Sequence, residues 1–268
     1  VDVEILDATD GQLRVMVRGV DPTFMNAMRR IIMSEIPVPS IELVYIIENT
    51  GVLYDEIIAH RMGYIPLKGG EALIFTKDCE CQGKGCPRCE AILTMDVTAS
   101  ENSFKVLSGR LKAEGSVFAA NTEIPIAELN AGQRLALEAR ARLGTAKQHA
   151  KWQPVSIAVV KYEPQVKIDQ KTCDLCALCV DECPKKILEI KDKRLVVTSP
   201  LVCSLCKVCE SICQKGSIKV TYNDSNAVLT IESTGGMTNE ELVSAATDVL
   251  LKKCSSLRDA LKELPEAA

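Results

Sequence analysis

Aromatic side chains are scarce in this chain. Only 4% of its 268 residues are Phe, Trp or Tyr, and there is a single Trp. Aliphatic side chains must fill the core, and with 47% apolar and 25% charged residues the chain can build an ordinary globular one. No apolar run reaches the ~18–20 residues of a membrane-spanning helix, so no membrane association is expected. The N-terminal stretch VDVEILDATDGQLRVMVRGV lacks a charged segment leading into an apolar one, so it does not read as a signal peptide. These absences point to the cytoplasm. Basic residues are spread along the sequence, and the net charge is −4. Without a basic stripe, direct nucleic-acid binding is not expected. No GxGxxG, no P-loop, no acidic triad for magnesium and no Ser/Cys–His pairing is present, so nothing in the chain reads as a catalytic site.

What the chain has instead is cysteine. There are thirteen, and twelve fall in three tight clusters. In a reducing compartment such clusters read as metal ligands before they read as disulfides. Cys254 stands apart and reads as a small core hydrophobe. Two runs are near-copies: Cys173, Cys176, Cys179 and Cys183, then Cys203, Cys206, Cys209 and Cys213. Their x2-x2-x3 rhythm resembles that of two-cluster bacterial ferredoxins. In that pattern three close thiolates hold one cluster and the fourth cysteine ligates the other. One set is therefore Cys173, Cys176, Cys179 and Cys213. The other is Cys203, Cys206, Cys209 and Cys183. Asp174, Asp181 and Glu182 crowd the first run, whereas Lys207 and Lys215 accompany the second. A bound iron–sulfur cluster is anionic, so the Cys203 set is favoured if only one forms. Either 3Fe-4S or 4Fe-4S, one or two copies, fits the pattern. Zinc also suits thiolates but does not explain the doubled rhythm.

The third cluster, CECQGKGCPRCE, holds Cys79, Cys81, Cys86 and Cys89. Four thiolates on a glycine-containing loop suit tetrahedral zinc, with a pair of disulfides as the alternative. Both roles are structural, because four cysteine ligands leave no open coordination position.

Periodicity supplies the frame. Val3 and Ile5 alternate on one side of Asp10-Gly11, and Leu13, Val15 and Val17 on the other, which reads as a hairpin. Asp21 and Pro22 start a helix whose apolar stripe is Phe24, Met25, Met28, Ile31 and Ile32, with Pro37 and Pro39 beyond its end. SIELVYIIEN reads as a strand and VLYDEIIAHRMGYIPLK as a short helix closed near Gly63. The stretch 71–150 reads as a mostly β lobe. Within it QRLALEARARLG fits a strand or a short helix equally. SIKVTYNDSNAVLTIEST reads as a hairpin turning at Asn223–Asn226. A long last helix follows, started by a Thr238/Glu241 capping box. Its apolar face is Leu242, Ala246, Val249, Leu250, Leu257, Leu261 and Leu264, and Pro265 stops it. An apolar helical face beyond what a sheet needs points to a partner, although the two end helices could cover each other.

NAMRRIIMSEIP on the first helix and YDEIIAHRMGYIPL after it resemble the alpha-like subunit of multisubunit DNA-directed RNA polymerases, in its archaeal form, subunit three. The inserted ferredoxin-like segment occurs in some members of that group. The resemblance implies an α+β fold: an alpha-like dimerisation domain in three pieces (1–40, 152–166 and 222–268) interrupted by a mostly β insert domain with the cysteine loop (41–151) and a ferredoxin-like iron–sulfur domain (167–221). It implies a non-catalytic assembly subunit that pairs with the small subunit L and, with subunits N and P, forms a platform for the large catalytic subunits. Phe24, Met28, Arg29, Arg30, Ile31, Leu242, Val249, Leu250 and Leu257 would then face partners, and His60 would be structural. An electron carrier, or a scaffold that senses redox state through its cluster, is the competing reading of the iron–sulfur repeat.

Overall fold

The computed structural model describes residues 1–262. The chain divides into two compact units. One comprises Val1–Leu6, Arg14–Asn26 and Val159–Leu229; the other comprises Asp7–Leu13, Ala27–Ala158 and the chain from Thr230.

A four-stranded sheet is built from Asp2–Ala8, Gln12–Arg18, Ile218–Ser233 and Val155–Ile168, in that spatial order. The opening hairpin turns where expected, with the Thr9 N–H donating to the Gln12 carbonyl at 2.8 Å. Val3 and Ile5 are exposed, while Leu13 and Met16 are buried. The expected hairpin at Asn223–Asn226 does not exist. Ile218–Ser233 is one uninterrupted strand of 16 residues. Its polar centre is engaged in the sheet instead: the Val20 N–H donates to the Ser225 carbonyl at 3.0 Å, and the Gly19 N–H to the Asn226 side chain, at Oδ1, at 3.2 Å.

The second sheet runs in the order Val38–Asn49, Arg134–Gly144, Ala91–Thr98, Lys112–Glu114, all antiparallel. The stretch QRLALEARARLG resolves into the strand Arg134–Gly144, preceded by the strand Pro125–Leu129 and a turn in which Gly132 has φ +80°. Leu135, Leu137, Ala139 and Ala141 are buried while Glu138, Arg140 and Arg142 lie half-exposed, so a period of two prevails over helix propensity. Below this sheet Ile41, Ile58, Met62, Leu93, Val106, Ile126 and Leu137 form an aliphatic core, as the scarcity of aromatics requires.

The helix Pro22–Ser34 starts on Asp21, whose carboxylate accepts from the Thr23 N–H at 2.7 Å. The closing helix, Asn239–Lys262, starts on the expected capping box: the Thr238 N–H donates to Glu241 Oε2 at 2.7 Å, and the Glu241 N–H to Thr238 Oγ1 at 3.3 Å. The expected face residue Leu264 and the stop at Pro265 lie outside the described residues. Among the described residues no helix is long and apolar enough to cross a membrane.

Candidate metal centres and partner surface

The loop Cys79–Cys89 leaves a single 3₁₀ turn, Thr76–Asp78, and re-enters the sheet at Ala91. Its four sulfurs converge. Cys79 Sγ lies 3.5 Å from Cys86 Sγ, Cys81 Sγ 3.5 Å from Cys89 Sγ, and Cys86 Sγ 3.8 Å from Cys89 Sγ. A disulfide requires about 2.05 Å, so these are free thiols drawn to a common point. The four donor atoms all lie within 4.8 Å of one another and could hold a metal ion. Burial pushes the Cys89 thiol up to about 12. At Cys81 burial is outweighed by hydrogen bonds from Cys79, Cys89 and the Gly85 and Gly83 amides, which bring it down to about 6. Neutral thiols crowded this closely cannot all ionise without a cation between them.

The loop is tied to the sheet through Glu90, a buried carboxylate. Arg142 Nε donates to it at 2.5 Å, and Arg140 Nη1 lies 3.8 Å from its other oxygen. Gly85 has φ +85° and packs its backbone against this carboxylate, so a side chain there would meet Glu90 as well as an unfavourable backbone angle. Sequence reading did not single out Glu90. A lone acidic residue after a cysteine carries no mark of burial.

The two longer runs do not gather their sulfurs around one point. They surround two hollows instead. One is lined by Cys173, Cys176, Cys179 and Cys213 with Asp174, Leu195 and Ser217. The other is lined by Cys183, Cys203, Cys206 and Cys209 with Lys185 and Lys207. The hollows are alike in size, each a small cavity of about 10 Å³. Each thus joins three cysteines of one run to the last cysteine of the other. Four-residue and five-residue helices, Leu178–Asp181 and Val208–Ile212, follow the middle cysteines. The middle cysteine of each run, Cys176 or Cys206, is exposed, whereas Cys179, Cys183, Cys203 and Cys209 are buried.

Around each middle cysteine the backbone repeats an unusual conformation. Leu175 and Ala177 have φ +59° and +65°, and Leu205 and Lys207 have φ +58° and +60°. Left-handed backbone costs an L-residue about 1–2 kcal/mol, and none of the four is glycine. At Cys206 a peptide N–H meets the sulfur, and at Cys213 a serine does. The Val208 N–H lowers the Cys206 thiol, and the Ser217 hydroxyl, followed by its N–H at 3.3 Å from Sγ, lowers Cys213. Burial raises Cys179, and it pushes Cys209 up to about 11. A hollow lined by thiols, with amides aimed at sulfur, suits a polynuclear iron–sulfur group, whose cysteines bind separate irons and so stand farther apart than four ligands on one ion.

The expected partner residues divide. Met28, Ile31 and Leu242 are buried within this chain. Phe24 is 45% exposed and Leu257 63% exposed. Val249 and Leu250 are half-buried. Arg30 is exposed; Arg29 is half-buried and donates to Met33 Sδ at 3.4 Å. His60 is exposed beside the Tyr64 ring, centroids 5.1 Å apart. From Leu251 onward almost every described residue of the closing helix is exposed, including Leu251, Leu257 and Leu261. At about 100° per residue, Leu250, Cys254, Leu257 and Leu261 fall within about 60° of one another. Cys254 is thus exposed on an apolar stripe and is not the core residue expected of it.

Residues 44–161 match the family described as the RNA polymerase Rpb3/RpoA insert domain. The DNA-directed RNA polymerase subunit Rpo3 of Archaeoglobus fulgidus is 34% identical over 265 residues, covering 98% of each chain. That of Methanothermobacter thermautotrophicus is 35% identical over 269 residues, 98% of this chain and 97% of its own. The chain belongs to the Rpo3 family of DNA-directed RNA polymerase subunits. The likeness reaches beyond archaea: the DNA-directed RNA polymerase II subunit rpb3 of Dictyostelium discoideum is 30% identical across 98% of this chain and 95% of its own. For an Rpo3-family chain, the opening hairpin, first helix, insert, cysteine runs and closing helix are parts of one protein, because the relatives match along the whole length rather than at the iron–sulfur repeat alone.

Proposed function

We propose that this chain is the non-catalytic assembly subunit of a cytoplasmic RNA polymerase, pairing with a small L-type subunit to form, with subunits N and P, the platform for the large catalytic subunits. The observation that carries the reading is the closing helix. Its first half is buried at Leu242 and Ala246, and its second half presents Leu250, Leu257 and Leu261, the last two well exposed among the described residues. An apolar helical stripe of about three turns is the complement of a second apolar helix. The dimerisation domain then comprises 1–40, 152–166 and 222–268. The insert with its cysteine loop spans 41–151, and the iron–sulfur domain spans 167–221. Phe24, Arg29 and Arg30 add contacts to neighbouring subunits. Nucleotide addition belongs to the large subunits, and this chain does not bind nucleic acid directly.

Two metal chemistries accompany the scaffold. Zinc at Cys79, Cys81, Cys86 and Cys89 is supported by the spacing of the sulfurs. Zn–S bonds of about 2.3 Å set tetrahedral edges of about 3.8 Å, close to the separations seen. Iron–sulfur clusters at the two cross-linked sets are supported by the paired hollows and their left-handed loops. Such clusters supply strong covalent crosslinks between the two runs. The residues of this chain hold the thiolates, aim the amides and exclude water around Cys179, Cys183, Cys203 and Cys209. An electron carrier is the weaker reading, since it accounts for the repeat and leaves the rest of the matched length without a role.

The test is affinity purification of the tagged chain from its host. Copurification of the large polymerase subunits is the expected result, and recovery of a reductase without them would overturn the proposal.

A further inference from the structure

The two iron–sulfur hollows are related by the thirty-residue repeat, yet their surroundings are opposite in charge. The first is lined by Asp174 and by no basic residue; the second is lined by Lys185 and Lys207 and by no acidic one. The equivalents of Asp174 and Ala177 in the first run are Ser204 and Lys207 in the second. A third cation, from outside the repeat, is bonded to the backbone just ahead of Cys203. Lys161 lies half-buried on the strand Val155–Ile168 and donates from Nζ to the Leu201 carbonyl at 2.6 Å. Leu201 is the centre of the 3₁₀ turn Pro200–Val202, which delivers Cys203: the Cys203 N–H donates back to the Pro200 carbonyl at 3.0 Å. Lys161 therefore fixes the turn that aims one thiolate, and sets a charge beside it.

We propose that Lys161 is a positioning residue for the iron–sulfur centre of Cys183, Cys203, Cys206 and Cys209, and that it makes this the centre of higher reduction potential. The proposal rests on the iron–sulfur reading above. Its physical basis is the charge change on reduction. A centre with four thiolate ligands carries net negative charge, and each added electron deepens it, so nearby cations favour the reduced form and nearby carboxylates oppose it. The lining of the second hollow supplies no carboxylate to offset its cations. Burial lowers the Lys161 ammonium, the Cys203 thiolate raises it, and Arg14 and Lys185 lower it further. Lys185 and Lys207 line the hollow itself, and Lys161 holds the turn that enters it. The Asp174 side of the first hollow offers the reverse.

The experiment uses the full chain, reconstituted with iron and sulfide. In one form Cys173→Ser with Cys176→Ser disables the first set; in its mirror Cys203→Ser with Cys206→Ser disables the second. Each form is titrated with dithionite as one-electron donor, and the midpoint is followed by electron paramagnetic resonance and visible absorbance. The form keeping the Cys203 centre should have the higher midpoint. Lys161→Met should shift that midpoint downward and leave the mirror form unchanged, while Lys161→Arg should restore it. Lys185→Gln, on an exposed residue, should lower the same midpoint even if Lys161→Met loads poorly. Equal midpoints, or a Lys161→Met shift of the same size in both forms, would overturn the inference. So would failure of the Cys203 centre to load when the first set is disabled. Absence of iron and sulfide from the wild-type chain would instead remove the iron–sulfur reading itself.

Discussion

The left-handed residues beside Cys176 and Cys206 allow a quantitative test of what the cysteine loops cost. Ala177 and Lys207 hold φ +65° and +60° in equivalent places. Each carries a penalty of about 1–2 kcal/mol for an L-residue in that region. Glycine there escapes the penalty but gains freedom in the unfolded chain, which returns about 0.5–1 kcal/mol. Neither side chain has much to lose, since Lys207 is exposed and Ala177 contributes one methyl. The double variant Ala177→Gly, Lys207→Gly should therefore stabilise the iron–sulfur unit by about 1–2 kcal/mol. At 4–8 °C per kcal/mol for domains of 60–100 residues, its melting point should rise by roughly 4–16 °C. The measurement is far-UV circular dichroism of the iron-free, reduced full chain. Trp152, the single tryptophan, belongs to the other unit and reports it separately by fluorescence. If the variant melts at or below wild type while the Trp152 transition is unmoved, the loops are not strained and the reasoning fails.

Three further outcomes follow from other contacts. Leu257→Asp, at a 63% exposed position, should leave the chain folded but abolish the heterodimer with the small partner in size exclusion, and Leu261→Asp should do the same. Cys86→Ser with Cys89→Ser should remove about one equivalent of zinc, read by mass spectrometry, while leaving that heterodimer intact. Glu35 is held by Lys147 at 3.0 Å and Lys253 at 2.5 Å. Burial acts to raise its carboxyl, but Lys253 and Lys147 outweigh burial and hold it below the ordinary value. Its contribution is thus present above about pH 4.3, the unperturbed Glu value, and is lost as pH falls through the lower folded value. Glu35→Gln should cost about 1 kcal/mol at pH 7 and nothing below that range, as measured by denaturant unfolding.

Local signals carried much of this fold. The Thr238/Glu241 box, the Asp21 cap and the turn at Asp10-Gly11 each depend on residues within four positions, and each stands where its pattern placed it. The resemblance to two-cluster ferredoxins groups Cys183 and Cys213 each with the opposite run, and the linings of the two hollows have that composition. Burial was harder to read. The stripe Met28–Ile31 is apolar whether a partner or the chain itself covers it, and here the chain does; at Cys254 the reverse holds. The polar run Asn223–Asn226 looks like a turn until the Val20 N–H is found on Ser225. Leu175, Ala177, Leu205 and Lys207 give no sign of left-handed backbone, because none is a glycine or a short polar residue that favours it. Lys161 lies forty residues from the carbonyl it binds.

The chain leaves its first sheet at Asp169 and returns at Ser217, and these two residues are bonded to each other, N–H to carbonyl, at 2.8 Å. The strands that end and begin there, Val155–Ile168 and Ile218–Ser233, are sheet neighbours. The chain between them enters and leaves through this one residue pair, while Lys161 on Leu201 and the packing of Val166 and Val220 tie it to the strands from its side. The entropy of closing such a loop grows only slowly with its length, so a short turn could bridge the same gap as the whole cysteine repeat. The entry and exit of the repeat are therefore adjacent, and its removal would uncover Val166 and Val220. A lineage that lost its iron supply could trade it for a few turn residues, or let it decay around one centre, without re-registering a strand of the sheet that carries it.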